Sequence, residues 1–200
     1  GVRIHFVGWA PLFPTPAFRL TSMNELWLFA LMGILMGMLG IAMIRTLAWL
    51  EDFFDNLPIK RALIWSPAIG ALVLGVIGYF YPQIFGTGYD TIRDMLNDRL
   101  STSKLVGISV AKFVALVVSL GSGTTGGVFA PSLIVGGGFG AVFALGCRHI
   151  FPHLISDPAF YALVAMAAAF AGIARAPFTS IVFLFELSHT PNSLLPLIVC

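Results

Sequence analysis

Gly121-Ser122-Gly123-Thr124-Thr125-Gly126-Gly127-Val128-Phe129-Ala130-Pro131-Ser132 joins two long apolar segments, Leu105–Leu120 and Val128–Cys147. A linker between two such segments lies at or within a membrane, where backbone groups cannot turn to bulk water. Its small residues, Gly121, Ser122, Gly123, Gly126, Gly127 and Ala130, leave successive N–H groups accessible, and a new helix is expected from about Val128. Helix starts carry unpaired N–H donors and about half a positive charge. Pro131 suits a first helical turn, where its missing N–H costs nothing. A dehydrated anion needs donors of this kind, without a full positive charge that would hold it too tightly to release. The residues point to an intramembrane anion site made of backbone amides. An alternative reading is that the glycines serve only close helix packing. Gly121-x-Gly123-x-x-Gly126 also matches a dinucleotide fingerprint, but no Asp or Glu follows until Asp157 and the flanks are membrane spans. A phosphate-binding P-loop is excluded because no lysine follows the glycines.

Composition agrees with a membrane setting. Hydrophobic residues make up 58% of the 200 residues and charged residues 10%, with a mean hydropathy of +0.94. Soluble domains carry about 25% charged residues, because their surface must face water. The net charge of +2 is too small to suggest nucleic acid or a polybasic lipid-binding surface. Cys147 and Cys200 lie in or beside apolar runs without metal-ligand spacing, and read as buried thiols. No secretory leader opens the chain, and both ends read as cut, so a fragment of a longer protein is expected.

Along the chain, residues 1–20 (Trp9, Pro11, Pro14, Pro16) read as an extended, interfacial lead-in. Leu26–Ile44 is the first spanning segment, with Thr21, Ser22 and Asn24 as N-caps and Glu25 near the positive end of the helix dipole. Gly33 and Gly37 offer a small face for close packing, and the segment turns amphipathic before ending near Asn56. Ala62–Tyr81 is a second span with Trp65, Tyr79 and Tyr81 at its interfaces. Tyr89–Leu96 is a short amphipathic helix, and the segments flanking the glycine-rich linker are the third and fourth spans. Pro158–Ala174, Phe178–Phe185 and the run from Ser193 are short and interrupted by proline or glycine. Such segments suggest broken helices lining a cavity or protein interior, a pattern of transporters and channels. The lysines and arginines divide almost evenly among the loops, which leaves the orientation open.

Three ordered motifs carry a resemblance that covers nearly the whole chain. Gly121 through Leu133 resembles the chloride-binding signature in the second half of the CLC chloride channels and proton/chloride antiporters. Ile173-Ala174-Arg175-Ala176-Pro177-Phe178-Thr179, leading to Glu186-Leu187-Ser188, is similar to a later segment of that family, and Leu194-Leu195-Pro196-Leu197-Ile198 to its next helix start. Gly86-Thr87-Gly88-Tyr89-Asp90 and Pro16-Ala17-Phe18 are similar to bacterial members. The resemblance implies an all-α polytopic membrane protein with broken and re-entrant helices. Residues 1–200 would form the second half of an inverted-repeat domain, with the first half and the last core helix missing. It implies chloride transport as a channel or H+/Cl- exchanger, with Val128 and Phe129 offering backbone N–H groups to the ion. It further implies a homodimer in contact with membrane lipid, with protons as a second partner in exchangers. The matching late segments, about Phe178 to Ile198, would form the subunit contact, with Ile181, Phe185, Leu194 and Ile198 as its apolar face. The expected location is a multi-pass position in a bacterial plasma or inner membrane, with no cofactor, no metal, no nucleic acid and no enzymatic activity.

Other residues carry weaker signals. Lys112, alone inside an apolar run, either sets a positive potential for anions or snorkels to an interface. Arg175 and Glu186 bracket a short helix and suggest structural pairing or loop locking. His149 and His153 are separated by Pro152 and lack an acidic partner, so no zinc site is expected. A membrane-embedded enzyme would need clustered Asp, Glu, His or Cys at membrane depth, and Lys112 stands alone there. A non-catalytic assembly subunit would not need a glycine-rich helix start.

Overall fold

A computed structural model describes residues 23–56, 62–97, 99–151, 155, 157–188 and 191–200. The lead-in 1–20, the caps Thr21 and Ser22, and His153 lie outside them. The helices, in chain order, are α1 (Leu26–Asp55), α2 (Ala62–Phe80), α3 (Tyr89–Leu96), α4 (Thr102–Gly121), α5 (Phe129–Ile150), α6 (Pro158–Ala174), α7 (Pro177–Ser188) and α8 (Leu194–Val199). No strand occurs among the described residues. Three of these helices, α1, α4 and α5, are long and apolar enough to cross a bilayer.

At 30 residues, α1 reaches about 45 Å, well beyond a hydrocarbon core of about 30 Å. Its far end carries the exposed charges Arg45, Glu51, Asp52 and Asp55, with Trp49 stacked on Phe53 at 5.9 Å. Of the expected caps, Asn24 does not take the cap position. A 3-10 turn, Met23–Glu25, absorbs Asn24 and leads into α1, and Glu25 occupies the cap position without a side-chain capping bond. Glu25 is buried and its Oε1 accepts a hydrogen bond from the Tyr161 hydroxyl at 2.9 Å. Glu25 thus stands at the positive end of the helix dipole as expected, and a carboxylate inside the fold is held by the donors the packing brings to it.

The centre of the molecule is α6, which packs against α5, α1, α7, α3 and α8. At 17 residues it is short for a crossing, and its first ten residues, Pro158 through Ala167, are all buried. A helix apolar on every side suits an interior position. Asp157 caps it by accepting from the Ala159 N–H at 2.9 Å, and Pro158 fills the first helical position. The helix closes on Arg175 in the left-handed region, φ 54°, and Pro177 immediately starts α7. This is the broken-helix pattern expected of the last third.

Small residues set the spacing between helices. On α5, a Cβ at Gly136 would lie 2.8 Å from the Ala165 carbonyl oxygen, and one at Gly140 2.8 Å from that of Tyr161. The two glycines let α5 and α6 meet backbone to backbone. The expected Gly33/Gly37 face is used in part: a Cβ at Gly33 would collide with the Cys200 backbone after α8, one at Gly37 would meet nothing within 4 Å, and one at Gly40 would lie 3.4 Å from the backbone carbon of Gly172 on α6. Pairing is decided by where α6 crosses α1, which the spacing of glycines does not specify.

Candidate functional site at the start of helix α5

The linker is built outward from the end of α4. The Ser119 carbonyl accepts from the Ser122 hydroxyl at 2.9 Å, from the Thr124 hydroxyl and from the Thr124 N–H at 3.2 Å. Ser119 Oγ and Thr124 Oγ1 are 2.8 Å apart. Gly123 follows in a left-handed conformation, φ +85°, which a residue without a Cβ adopts at no steric cost. Gly121 lies against Leu50 of α1, and Ser122 against Gly70 of α2, where a Cβ would meet the serine Cβ at 2.7 Å. The turn is wedged between α1 and α2, and Gly126-Gly127-Val128 leads from it as irregular chain ending in a bend.

Val128 is the N-cap of α5 and makes no side-chain capping bond. Its carbonyl accepts from the Ser132 N–H at 3.0 Å, and Ser132 Oγ donates to the Phe129 carbonyl at 2.6 Å. The N–H groups of Gly126, Gly127, Val128, Phe129 and Ala130 donate to no protein acceptor among the described residues. Pro131 stands in the first turn as expected. A side-chain cap would have competed for these donors; the residues here leave them to another acceptor. The Val128 side chain borders a cavity of about 200 Å³ with Met43, Ile44, Leu116 and Ile173. The sequence-derived site residues Gly121, Ser122, Gly123, Gly126, Gly127, Val128, Phe129, Ala130 and Pro131 are therefore brought into one turn and helix start.

Two neighbours were missed by sequence reading. The Phe129 ring meets Phe170 of α6 edge-on at 4.8 Å and Phe183 of α7 at 4.7 Å. These contacts fix the rotamer of the residue whose N–H stands at the helix start. Nothing local distinguishes Phe170 or Phe183 from the other sixteen phenylalanines of the chain's 18, because only the crossing of α5, α6 and α7 selects them.

Lys112 does not snorkel. It is 4% exposed, and its Nζ donates to the Ile84 carbonyl at 2.6 Å and the Gly86 carbonyl at 3.1 Å. It turns inward because the 3-10 turn Pro82–Ile84 brings two carbonyls to α4, and these offset part of the cost of removing an ammonium from water. Gly86 and Gly88 that follow are left-handed, φ 75° and 74°, as the turn before α3 demands. Arg175 and Glu186 are both exposed and form no ion pair; the pair recorded among the described residues is Arg99–Asp94, at 4.0 Å. The turn at Arg175 is held by its backbone conformation. His149 is exposed, and no group of three metal-ligating side chains occurs among the described residues.

Apolar spanning helices around a broken, buried one, with a bare helix start between two of them, define a polytopic membrane protein of the transporter and channel class. The chain belongs to the voltage gated chloride channel family, whose model matches residues 2–200. It is 35% identical to the chloride channel protein CLC-f of Arabidopsis thaliana, over 96% of this chain and 26% of that protein. It is 34% identical to the H(+)/Cl(-) exchange transporter ClcA of Vibrio campbellii, over 92% of this chain and 40% of that one. Among solved structures it resembles a slow cyanobacterial Cl-/H+ antiporter with a TM-score of 0.83 at 29% identity, covering 94% of this chain and 44% of that one. A eukaryotic CLC transporter matches with a TM-score of 0.66 at 28% identity, covering 89% and 32%. The chain thus spans less than half the length of these relatives, and it is an integral membrane protein.

Proposed function

We propose that this chain forms part of a chloride pathway, and that the N–H groups of Val128 and Phe129 bind the anion at the start of α5. The observation that carries the reading is the run of donors from Gly126 to Ala130 without a protein acceptor, at the head of a 22-residue helix. Unpaired N–H donors at a helix start attract a monovalent anion while keeping it exchangeable. The activity is transport without a covalent step, and the reading calls for no cofactor. Coupling to protons is the second reading, favoured by the antiporter likeness at a TM-score of 0.83. The test is chloride flux in liposomes containing the full-length protein, with the reversal potential measured under a pH gradient. Selective chloride flux is expected. A reversal potential that follows the pH gradient identifies exchange, and one set by chloride alone identifies a channel. Absence of any anion flux from a correctly assembled protein overturns the proposal.

The proposed assembly is a homodimer through α7 and α8. The supporting face differs from the one expected. Ile181 and Phe185 are half-buried within the fold, whereas Phe178, Val182, Leu194 and Ile198 face outward. Residues 178 and 182 are one turn apart, and packing of α7 on α6 turns 181 and 185 inward.

A further inference from the structure

We propose that Thr124 is a positioning residue for the anion: its side chain latches the linker to the end of α4 and so holds the amides of residues 126–128 in place. The inference rests on the anion reading of the α5 start. Thr124 is half-buried while its neighbour Thr125 is exposed, so the fold separates two adjacent threonines that the sequence presents as equals.

The latch has two side-chain bonds and one from the backbone. Thr124 Oγ1 donates to the Ser119 carbonyl, which uses its single hydrogen. Ser119 Oγ, 2.8 Å from Thr124 Oγ1, is therefore the donor of the second bond. The Thr124 N–H reaches the same Ser119 carbonyl at 3.2 Å. Side chain and backbone of one residue are thus fixed on the last turn of α4. The next fixed point is the Val128 carbonyl, which accepts from the Ser132 N–H at 3.0 Å. Between them lie Thr125, Gly126 and Gly127, none of which donates or accepts in a backbone hydrogen bond among the described residues. Glycine has the most conformational freedom to lose, and two in succession leave the amides slack unless both ends are pinned. An anion that must order a slack linker loses affinity to that ordering, and a linker already held spares it. The same tether bears on discrimination. Donors at fixed separation suit one ionic radius, whereas donors on a slack linker adjust to larger anions.

Thr124→Val keeps the branched shape and deletes the hydroxyl. The Ser119 carbonyl would still accept from the Ser122 hydroxyl at 2.9 Å and from the residue 124 N–H, so no acceptor is orphaned and the fold should stand. The test measures chloride and thiocyanate binding to the full-length protein by isothermal titration, with melting temperature alongside, for the parent, Thr124→Val, Thr124→Ser and Ser119→Ala. Thr124→Val should bind chloride about three- to tenfold more weakly and lose less for thiocyanate, so that the preference for chloride falls. Thr124→Ser should restore both, and Ser119→Ala, which removes one of the two side-chain bonds, should fall between. A lower melting temperature with the anion preference at the parent's value would mark a merely structural contact and overturn the proposal, as would parent-like chloride binding in Thr124→Val. If Thr124→Val fails to assemble, Ser119→Ala decides by the same preference, since its change lies on α4 and leaves every linker side chain intact. Chloride binding that Phe129→Pro weakens and Thr124→Val leaves untouched overturns the latch alone; no chloride binding in the parent overturns the anion reading as well.

Discussion

At the scale of single residues, the amide and the ring of Phe129 have separable roles. The amide is the proposed ligand, and every residue but proline keeps it; the ring sits edge-on between Phe170 and Phe183. Phe129→Leu should retain chloride binding while losing two aromatic contacts, each worth about 0.5–1.5 kcal/mol, seen as a lower melting temperature in detergent. Phe129→Pro removes the donor, and a hydrogen bond to a charge contributes about 1.5–3 kcal/mol. Binding should weaken roughly ten- to a hundredfold by isothermal titration, with dimer formation checked because proline is tolerated in a first turn. Loss of binding in the Leu variant with binding preserved in the Pro variant would make the ring the ligand. A second residue-scale outcome concerns Tyr161, whose hydroxyl reaches Glu25 at 2.9 Å while its ring stacks on Phe29 at 4.4 Å. Tyr161→Phe keeps the stack and deletes the hydrogen bond, and should cost about 1–3 kcal/mol. A melting temperature equal to the parent's would show that the other contacts of Glu25 suffice.

At the scale of elements, the seam between α5 and α6 depends on Gly136 and Gly140, behind which the α6 backbone lies 2.8 Å from an added Cβ. Gly140→Val should abolish a monodisperse size-exclusion peak, since backbone cannot yield as a flexible side chain would. Gly75→Ala on α2 meets nothing within 4 Å and should leave the peak intact, with a gain of up to about 1 kcal/mol from helix propensity. Equal behaviour of the two variants would show that the seam is not close-packed. The break between α6 and α7 tests differently. Arg175 is the one non-glycine residue with positive φ among the described residues, a conformation that costs an ordinary side chain about 1 kcal/mol and glycine little. Arg175→Gly should raise the melting temperature and Arg175→Val lower it; a lower value for the glycine variant would assign the guanidinium a contact of its own.

At the scale of the whole molecule, Phe178 at 83% exposed and Ile198 at 64% mark the apolar face left open by the internal packing. If that face joins two copies, Val182→Trp and Ile198→Trp should shift crosslinked full-length protein from dimer to monomer. Ile181→Ala, which points inward, should leave the dimer fraction unchanged while lowering thermal stability. An unchanged dimer fraction in both tryptophan variants would place the contact elsewhere and leave this face to lipid.

What the sequence determined by itself is local in origin. Apolar runs, their lengths, the prolines and glycines that interrupt them, and the bare helix start at Val128–Phe129 follow from residues that are neighbours along the chain. A helix start is specified by the few residues that begin it. The short amphipathic helix Tyr89–Leu96 was legible to the residue for the same reason. The tertiary structure alone decided which groups meet. Lys112 finds carbonyls 28 and 26 residues away, Glu25 meets Tyr161 across 136 residues, and Phe129 selects Phe170 and Phe183 from many equivalent rings. Those pairings, and the turn of α7 that sends Val182 outward and Ile181 inward, depend on how helices cross. Crossing is governed by side-chain shape and backbone approach between segments far apart in sequence, which no periodicity within one segment records.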